Sequence, residues 1–379
     1  MRLIETIPEL EALARALSGE TLIAADSEAA GYHRYDDSLC LVQLSTRDET
    51  WLLDTLALGS LNPVAELFAD PDIEILFHDA DFDLRLLDRD FGVYVRGLFD
   101  TKIAARFTGV RSFGLANLLE DELGITLKKK YQRADWAKRP LPEEMREYAA
   151  MDTRYLPRLR DRLRDRLIEM GRLPWAEEEF RIQEQTGWEA PDEDGRPYLR
   201  LKQTRGLGRR SLAALREMYD WRDGVAQERD VATFRVINND ALVAVARHMP
   251  RNRDELEAVD RLSRGNARRW GDDLLAGVER ARSLDEADLP EPPRPPERPR
   301  RDPDLEERVD RLKPARDRAA RRLDLDKGFL MPRSQLEDIA RARPSTLDEL
   351  AAVDGVRGWQ VEALGEGLIE ALTEARTDH

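Results

Sequence analysis

Residues 21–28 read TLIAADSE, an apolar run that ends in two acids with one serine between them. The apolar run predicts a buried β-strand. Side chains two positions apart on a strand point to the same face, so the spacing predicts that the carboxylates of Asp26 and Glu28 lie side by side. Two carboxylates at the end of a buried strand can share one cation.

Apolar runs and helical patterns alternate after this strand. Further strands are predicted at 39–45, 50–54 and 73–77, and helices at 61–70, 82–91 and 101–107. This alternation is typical of an α/β layer architecture, and the short spacing of the first three strands predicts hairpins and therefore a mixed sheet flanked by helices. Beyond residue 110 the strand patterns stop, and helices are predicted over 114–123 and 142–170.

A repeat organises the C-terminal half of the chain. HMPRNRDELEAVD (248–260) aligns with ARPSTLDELAAVD (342–354) at an offset of 94 residues, and the same offset aligns segments on both sides. The repeat predicts two copies of one small all-α domain. Between them lies a proline-rich segment that predicts an extended linker. The expected division is an α/β domain at 1–175, a connector at 176–207, a first helical domain at 208–284, the linker at 285–303 and a second helical domain at 304–377.

Three more residues share the chemistry of the first acidic pair. Asp83 follows the strand at 73–77, near the start of a helix that we expect Asp79 to cap. Tyr148 and Asp152 are four residues apart in the helix predicted at 142–170, so they lie on one face. The pattern therefore predicts that three separate segments contribute acids to one site.

Carboxylates in such a group suit hard cations such as Mg²⁺ and Mn²⁺, whereas four histidines and one cysteine leave little material for a zinc site. Two divalent ions about 3.5–4 Å apart can activate water and stabilise the leaving oxygen of a phosphodiester. We therefore expect Tyr148 to hydrogen-bond the attacking water or to help remove its proton.

Composition limits the partners that the chain can bind. The net charge of −15 argues against general, high-affinity binding to phosphate backbones. One segment, 128–139 (KKKYQRADWAKR), has six basic residues and two aromatic residues. Within it, Lys130 and Arg133 could hold phosphates while Trp136 stacks a base, although a solvated loop with a buried tryptophan is the alternative. His33 could touch the terminal nucleotide, whereas His78 is expected to be structural.

The compartment is read from cysteine and apolar content. The single cysteine, Cys40, cannot form an internal disulfide and favours a reducing compartment. No apolar run approaches the roughly 20 residues that cross a bilayer. The segment from Thr6 to Glu9 predicts a helix capping box rather than a signal peptide. We expect a cytoplasmic monomer that does not bind membranes.

The motifs resemble a known family. Asp26-Ser27-Glu28, the segment 78–83 and the pair Tyr148 and Asp152 resemble the three exonuclease motifs of the DEDD superfamily, in its tyrosine-bearing branch. Residues 133–156 are similar to ribonuclease D and to its relative in the eukaryotic nuclear exosome, and the repeated units resemble the HRDC domain. The first motif often carries threonine where this chain has Ser27.

The resemblance implies an RNase H-like α/β exonuclease domain followed by two all-α HRDC domains. It implies 3'–5' hydrolysis of tRNA precursors and of the 3' ends of other small structured RNAs, with release of 5'-mononucleotides. It also assigns Asp26, Glu28, Asp83 and Asp152 to two divalent metal ions, Mg²⁺ or Mn²⁺, and Tyr148 to the attacking water.

Two alternatives stay open at this point. The first is a DNA 3'–5' exonuclease of the proofreading or helicase-associated kind, which the lack of a G-x-x-x-x-G-K-[ST] motif weakens. The second is a non-catalytic RNA-binding protein that has kept the fold. Loss of one carboxylate would favour this second alternative, and none of the four is missing.

Overall fold

The computed structural model describes residues 1–127, 130–190, 196–292 and 302–373. The N-terminal part of these residues contains a six-stranded sheet in the order β1-β4-β3-β2-β5-β6. Strand β3 is antiparallel to both neighbours and the other adjacent pairs are parallel, so the predicted mixed sheet is confirmed. The strands are β1 (Arg2–Ile4), β2 (Leu22–Ala29), β3 (Leu39–Ser45), β4 (Thr50–Asp54), β5 (Glu74–Phe77) and β6 (Leu98–Asp100).

Helices cover both faces of this sheet. Side chains of β2 alternate between two buried clusters. Ile23 and Ala25 pack with the helices at 7–17, 62–69 and 81–91. Leu22 and Ala24 pack, on the other face, with the helices at 101–107, 156–169 and 173–183. Asp26 and Glu28 continue the row of Leu22 and Ala24 along the strand. The helices are α1 (Ile7–Leu17), α2 (Thr55–Leu58), α3 (Asn62–Ala69), α4 (Asp81–Phe91), α5 (Thr101–Phe107), α6 (Leu115–Leu123), α7 (Glu143–Arg154), α8 (Leu156–Glu169) and α9 (Leu173–Gln183).

The single helix predicted over 142–170 is wrong, because the structure has two helices there. Helix α7 ends at Arg154 and α8 begins at Leu156, with Tyr155 between them. Pro157 explains the break: proline has no N–H to donate and fits only in the first turn of a helix. Tyr148 and Asp152 therefore both lie on the shorter helix α7.

The C-terminal repeat is confirmed as two all-α units of the same design. Each helix of the second unit begins 94 residues after its counterpart in the first, as at Arg209 and Pro303. The first unit comprises α10 (Arg209–Glu228), α11 (Thr233–Val236), α12 (Asn239–His248), α13 (Arg253–Glu257) and α14 (Arg264–Ser283). The second comprises α15 (Pro303–Leu323), α16 (Lys327–Leu330), α17 (Arg333–Ala342), α18 (Leu347–Ala351) and α19 (Gly358–Thr373).

Both units contact the α/β domain through the same corner of their fold. Asp230 of the first unit pairs with Arg34 at 2.9 Å, and Asp324, the residue 94 positions later, pairs with Arg111 at 3.1 Å. Both aspartates have left-handed backbone conformations, with φ of 48° and 51°. The duplicated domain thus docks twice, at two different places on the α/β domain.

The predicted linker at 285–303 is only partly described, because residues 293–301 lie outside the described ranges. Its first part is not extended. Glu286–Asp288 form a 3₁₀ turn, and Leu289 is buried against the first helical unit. The Leu289 carbonyl accepts a hydrogen bond from Arg209 at 2.8 Å. No helix of the described residues combines the length and the apolar character needed to span a membrane.

Candidate active site

Strand β2 carries the first two acids to an open end of the sheet. Its ladder with β5 ends at Ala24, whereas its ladder with β3 continues past Asp26 to Ala29. Asp26 and Glu28 therefore extend beyond the β5 pairing. The space beside them, where β5 has already ended, is open to the helix that follows β5.

Asp83 enters this space from the first turn of α4. The Ser27 hydroxyl donates a hydrogen bond to the Asp83 carboxylate at 2.5 Å. Ser27 faces the side of the sheet against which α4 packs, so this bond fixes the start of α4 against β2. The serine at the centre of the first motif thus has a positioning contact of its own.

The turn before α4 is shaped by Asp100, so the prediction that Asp79 caps this helix is wrong. The Asp100 carboxylate is buried and accepts backbone N–H groups from Asp79 at 3.1 Å and Ala80 at 2.8 Å, together with those of Lys102 and Ile103. The Asp79 side chain instead forms an ion pair with Lys102. Asp79 has a φ of 70°, which suits the end of a tight turn rather than a helix cap.

His78 in the same turn fits the structural reading. Its Nδ1 lies 2.9 Å from the Thr101 hydroxyl, and that hydroxyl donates to the Phe77 carbonyl at 3.1 Å. Burial lowers the pKa of His78, so the ring is neutral near pH 7. The histidine therefore ties the turn to the start of α5.

Helix α7 brings Tyr148 and Asp152 over the same face of the sheet. The hydroxyls of Ser45 on β3 and Thr153 on α7 are hydrogen-bonded at 2.7 Å, and both residues are buried. The Tyr148 ring packs against Tyr131 and Trp136, with ring centroids 5.9 and 6.2 Å away. Polar and aromatic contacts together fix the height and rotation of α7 above β2 and β3.

Asp83 and Asp152 act electrostatically on Asp26 and Glu28. Burial raises the pKa of Asp26 and Glu28 well above their usual values, and Asp83 and Asp152 raise both further. Burial also raises the pKa of Asp83 to about 7 and that of Asp152 to about 7. Carboxylates influence one another in this way only at short range. Elements β2, α4 and α7 therefore bring the predicted acids to one place.

Tyr148 shares this environment. Burial raises its pKa, and Asp152, Glu28 and Asp26 raise it further. The phenol therefore keeps its proton near neutral pH and is a hydrogen-bond donor, which favours the first of the two roles expected for it.

The donor set suits a hard divalent cation. Carboxylate oxygens are the ligands that Mg²⁺ and Mn²⁺ prefer, and a bound cation offsets the cost of holding several buried negative charges together. Among the described residues, no group of three or more acidic, histidine or cysteine side chains is arranged so that it could hold a metal ion. The fit therefore rests on the chemistry of the donors and on their mutual electrostatic effect. The side chains that would hold the ions are Asp26, Glu28, Asp83 and Asp152.

A cavity of about 670 Å³ opens beside α7. Its lining includes Tyr148 and Asp152 from the site, and Lys130 and Tyr131 from the basic segment. The cavity thus joins Tyr148 and Asp152 to the part of the chain in which the sequence predicts nucleic-acid contacts. Lys128 and Lys129 of that segment lie outside the described residues.

The four candidates for substrate contact are placed differently. The prediction that Trp136 stacks a base is wrong, because its side chain is 2% exposed and packs in the apolar cluster beneath α7. Lys130 is exposed but forms an ion pair with Glu144 at 2.6 Å. Arg133 is exposed, and its carbonyl accepts a hydrogen bond from His33 Nε2 at 2.8 Å. His33 and Arg133 therefore lie together, next to the loop that follows the first motif.

The sequence did not predict that the first helical unit contributes residues to the surface around His33 and Arg133. Phe234 on α11 lies 5.4 Å from the ring of Tyr32, and Arg235 donates to the Tyr32 carbonyl and to His33 Nδ1. Tyr32 and Phe234 are 41% and 48% exposed. Exposed aromatic rings beside arginines suit stacked bases and phosphates. The sequence does show an aromatic residue followed by a basic one at 32–33 and again at 234–235. That these two pairs lie side by side depends on how the domains pack, which the sequence does not show.

Comparisons with known proteins agree with this architecture. The family model described as 3'–5' exonuclease matches residues 1–168, and the HRDC domain model matches 211–278 and 306–372. Ribonuclease D of Escherichia coli (strain K12) is 35% identical over 294 residues, which is 77% of this chain and 77% of that protein. The exosome complex exonuclease RRP6 of Saccharomyces cerevisiae is 35% identical over 65% of this chain but only 36% of its own length.

A solved structure extends the likeness to nearly the whole chain. The crystal structure of E. coli RNase D, described as an exoribonuclease involved in structured RNA processing, matches with a TM-score of 0.69 and 30% identity over 98% of both chains. The catalytic core of RRP6 from Trypanosoma brucei matches with a TM-score of 0.61 and 32% identity over 75% of this chain and 80% of that one. With its exonuclease domain, its converging carboxylates and its two HRDC domains, this chain belongs to the ribonuclease D family of 3'–5' exoribonucleases.

Proposed function

We propose that this protein removes 3'-terminal nucleotides from tRNA precursors and other small structured RNAs by two-metal hydrolysis that releases 5'-mononucleotides. The observation that carries the proposal is the convergence of four carboxylates from β2, α4 and α7, of which Asp83 is buried and the other three are half-buried, with a protonated tyrosine beside them. The exonuclease family that matches residues 1–168 is generally dependent on divalent metal ions. The proposal of two Mg²⁺ or Mn²⁺ ions is supported by the chemistry of the donors, since carboxylate oxygens are the ligands that these cations prefer.

The residues of the site have two roles in this proposal: four carboxylates bind ions, and one tyrosine donates a hydrogen bond. When bound, the two ions supply an activated water and neutralise charge on the leaving 3' oxygen. Asp26, Glu28, Asp83 and Asp152 would hold the ions. Tyr148 donates a hydrogen bond that orients the attacking water, because its raised pKa keeps the phenol protonated.

The path of the RNA is part of the same proposal. The cavity beside α7 reaches Tyr148 and Asp152 and would take the terminal nucleotide, with Lys130 near a phosphate. His33 and Arg133, together with Tyr32 and Phe234, form a surface that would hold the preceding nucleotides. The exposed rings of Tyr32 and Phe234 favour single-stranded ends, because unpaired bases can stack on them. The acidic composition of the chain also favours single-stranded ends over long duplexes.

We propose the domain boundaries that the sequence predicts. The exonuclease domain spans 1–175, the connector 176–207, the HRDC domains 208–284 and 304–377, and the linker 285–303. We infer a monomer that works in the cytoplasm. The buried, unpaired Cys40 supports a reducing compartment.

The substrate is tested by digestion of a tRNA precursor that carries a 3' extension, labelled at its 5' end. With Mg²⁺ or Mn²⁺ we expect a ladder of products that shorten by one nucleotide, and release of 5'-mononucleotides. The matched control is a single-stranded DNA of the same 3' sequence. Faster digestion of the DNA would favour the DNA exonuclease alternative, and no cleavage of either substrate would favour the non-catalytic one.

The proposed RNA path is tested by Phe234→Ala, which lies outside the carboxylate site. We expect KM for the extended RNA to rise several-fold while kcat changes little, because stacking contributes to binding and not to the chemical step. The exposed Phe82 is 52% accessible, so Phe82→Ala is a matched control. An equal effect of both variants on KM would contradict the path.

A further inference from the structure

A buried amide lies directly beside Asp26. Gln43 on β3 is the residue that pairs with Asp26 across the β2–β3 ladder. Residues opposite each other in an antiparallel pair have side chains on the same face, with Cβ atoms about 4.5–5.5 Å apart. The side chain of Gln43 therefore stands on the face of the sheet that carries Asp26 and Glu28, beneath α7.

The amide of Gln43 lacks a protein partner. The residue is 0% exposed, and within the described residues neither its Nε2 nor its Oε1 has a hydrogen bond. Buried polar side chains in native proteins nearly always have a partner, which can be a water or a bound group. A glutamine kept here without one indicates that something other than a protein group satisfies it.

The surroundings of Gln43 leave one direction for a polar partner. Leu52, its neighbour on β4, belongs with Leu41, Ala149 and Ala150 to the apolar cluster beneath α7. The next residue on this face of β3 is Ser45, whose hydroxyl is already bonded to Thr50 at 2.8 Å and to Thr153 at 2.7 Å. The remaining side faces Asp26, its partner across the ladder.

We propose that Gln43 is a positioning residue of the nuclease site, and that its amide holds the Asp26 carboxylate through an ordered water in the orientation that binds a divalent cation. The inference rests on the proposed function of the carboxylate cluster. A neutral amide suits this place because it donates through Nε2 and accepts through Oε1 without adding negative charge. Groups that orient a metal ligand in this way commonly affect metal affinity.

The competing explanation is that Gln43 only fills space in the core. The two explanations predict opposite results for Gln43→Leu, which removes both polar atoms and keeps a similar volume. If Gln43 only fills space, leucine should be at least as stable and should leave metal binding unchanged, because it removes an unsatisfied buried amide. If Gln43 positions Asp26, the variant should stay folded and bind metal more weakly.

The test is titration of the metal-free protein with Mn²⁺ in a calorimeter, together with steady-state digestion of the 3'-extended RNA. For Gln43→Leu we expect about a tenfold weaker Mn²⁺ affinity and a lower kcat, with KM for the RNA changed less than about twofold. Leu52→Met, a change to the apolar neighbour of Gln43, is the matched control and should leave Mn²⁺ affinity unchanged. Wild-type Mn²⁺ affinity in Gln43→Leu would overturn the inference.

Two further variants keep the result decisive. If Gln43→Leu does not fold, Gln43→Met replaces it, because the flexible thioether adapts to the same space and also lacks amide atoms. Asp26→Asn separates this inference from the proposed function. Loss of Mn²⁺ binding in Asp26→Asn but not in the Gln43 variant refutes only the role of Gln43, whereas normal Mn²⁺ binding in Asp26→Asn refutes the proposed site itself.

Discussion

At the residue scale, the site combines acids whose burial opposes ionisation. Asp83 and Asp152 have pKa values raised to about 7 in the folded protein, against a usual value of 3.8. The spacing of the acids predicts their convergence, since D-x-E on a strand and Y-x-x-x-D on a helix each fix a common face. Their raised pKa values were not predictable, because these depend on how three separate elements shield the carboxylates from water.

This burial predicts a pH dependence of stability. Groups with a raised folded pKa contribute stability that is fully present below the unfolded pKa and is lost as pH rises through the folded pKa. For Asp83 and Asp152 this contribution to stability is lost between about pH 4 and about pH 7, and none of it remains at higher pH. We expect the melting temperature of the metal-free protein to fall between pH 5.5 and 8, and to fall less in Asp83→Asn. Addition of Mg²⁺ should raise it more at pH 8 than at pH 5.5.

The exposed Asp72→Asn is the control for this experiment, and its pH profile should match the wild type. An identical profile for Asp83→Asn and the wild type would contradict the raised pKa of the buried Asp83 carboxyl. Calorimetric scans in a chelator, repeated with Mg²⁺, give both comparisons.

Tyr148→Phe tests the hydrogen bond to the attacking water. The variant keeps the ring packing against Tyr131 and Trp136 and loses only the hydroxyl. We expect kcat to fall by about 10²-fold, because misplacing a reacting group can cost a factor of this size, while Mn²⁺ affinity and melting temperature stay unchanged. Tyr155→Phe, at the junction of α7 and α8, is the control. Single-turnover digestion measures the step directly, and a wild-type rate for Tyr148→Phe would contradict the role.

At the element scale, the long apolar strands were predicted and the short elements were not. Strands β1 and β6 have three residues each, too few to show a periodic pattern. The break between α7 and α8 has a visible cause in Pro157, yet the periodicity on both sides made the segment look continuous. The turn into α4 depends on Asp100, which is 17 residues from Asp83 in sequence and carried no local signal.

Asp100→Asn tests how far this turn positions the site. The carboxylate accepts four backbone N–H groups, and an amide nitrogen in place of one oxygen would face a donor. We expect the free energy of unfolding to fall by about 2–3 kcal/mol and the exonuclease rate to fall because Asp83 loses its support. Asp81→Asn, whose ion pair with Arg85 is exposed, should lower the free energy of unfolding much less. Equal urea midpoints for the two variants would refute the role of Asp100.

At the scale of the whole molecule, the two HRDC domains differ in the residues with which they dock. The second domain has Phe329 and Trp359 where the first has Arg235 and Gly265. Trp359 packs with Phe107 at a centroid distance of 5.0 Å and donates through Nε1 to Glu179 at 2.7 Å. An apolar contact thus holds the second domain, whereas arginine contacts dominate at the first. The repeat was predictable from the sequence, but its docking was not, since Phe107 gave no hint of its partners.

Trp359→Ala tests this docking. Trp359 is 3% exposed and its aromatic partners come from both domains, so its removal leaves a cavity at the interface. We expect a loss of about 3–5 kcal/mol in stability, seen as a lower melting temperature or as a separate early transition of the second HRDC domain. Trp188 is 44% exposed, and Trp188→Ala should have little effect. A wild-type melting curve for Trp359→Ala would show that the interface does not hold the domains together.

The central claim is that the carboxylates of β2, α4 and α7 form one metal-dependent site that hydrolyses RNA from its 3' end. It is tested most directly by the rate of 3'-nucleotide release from an extended tRNA precursor, measured with Mg²⁺ for the wild type, Asp26→Asn and the surface control Asp72→Asn. The account predicts stepwise release by the wild type and Asp72→Asn, and a loss of at least about 10³-fold in Asp26→Asn with the fold intact by circular dichroism. Wild-type release by a folded Asp26→Asn protein would contradict it.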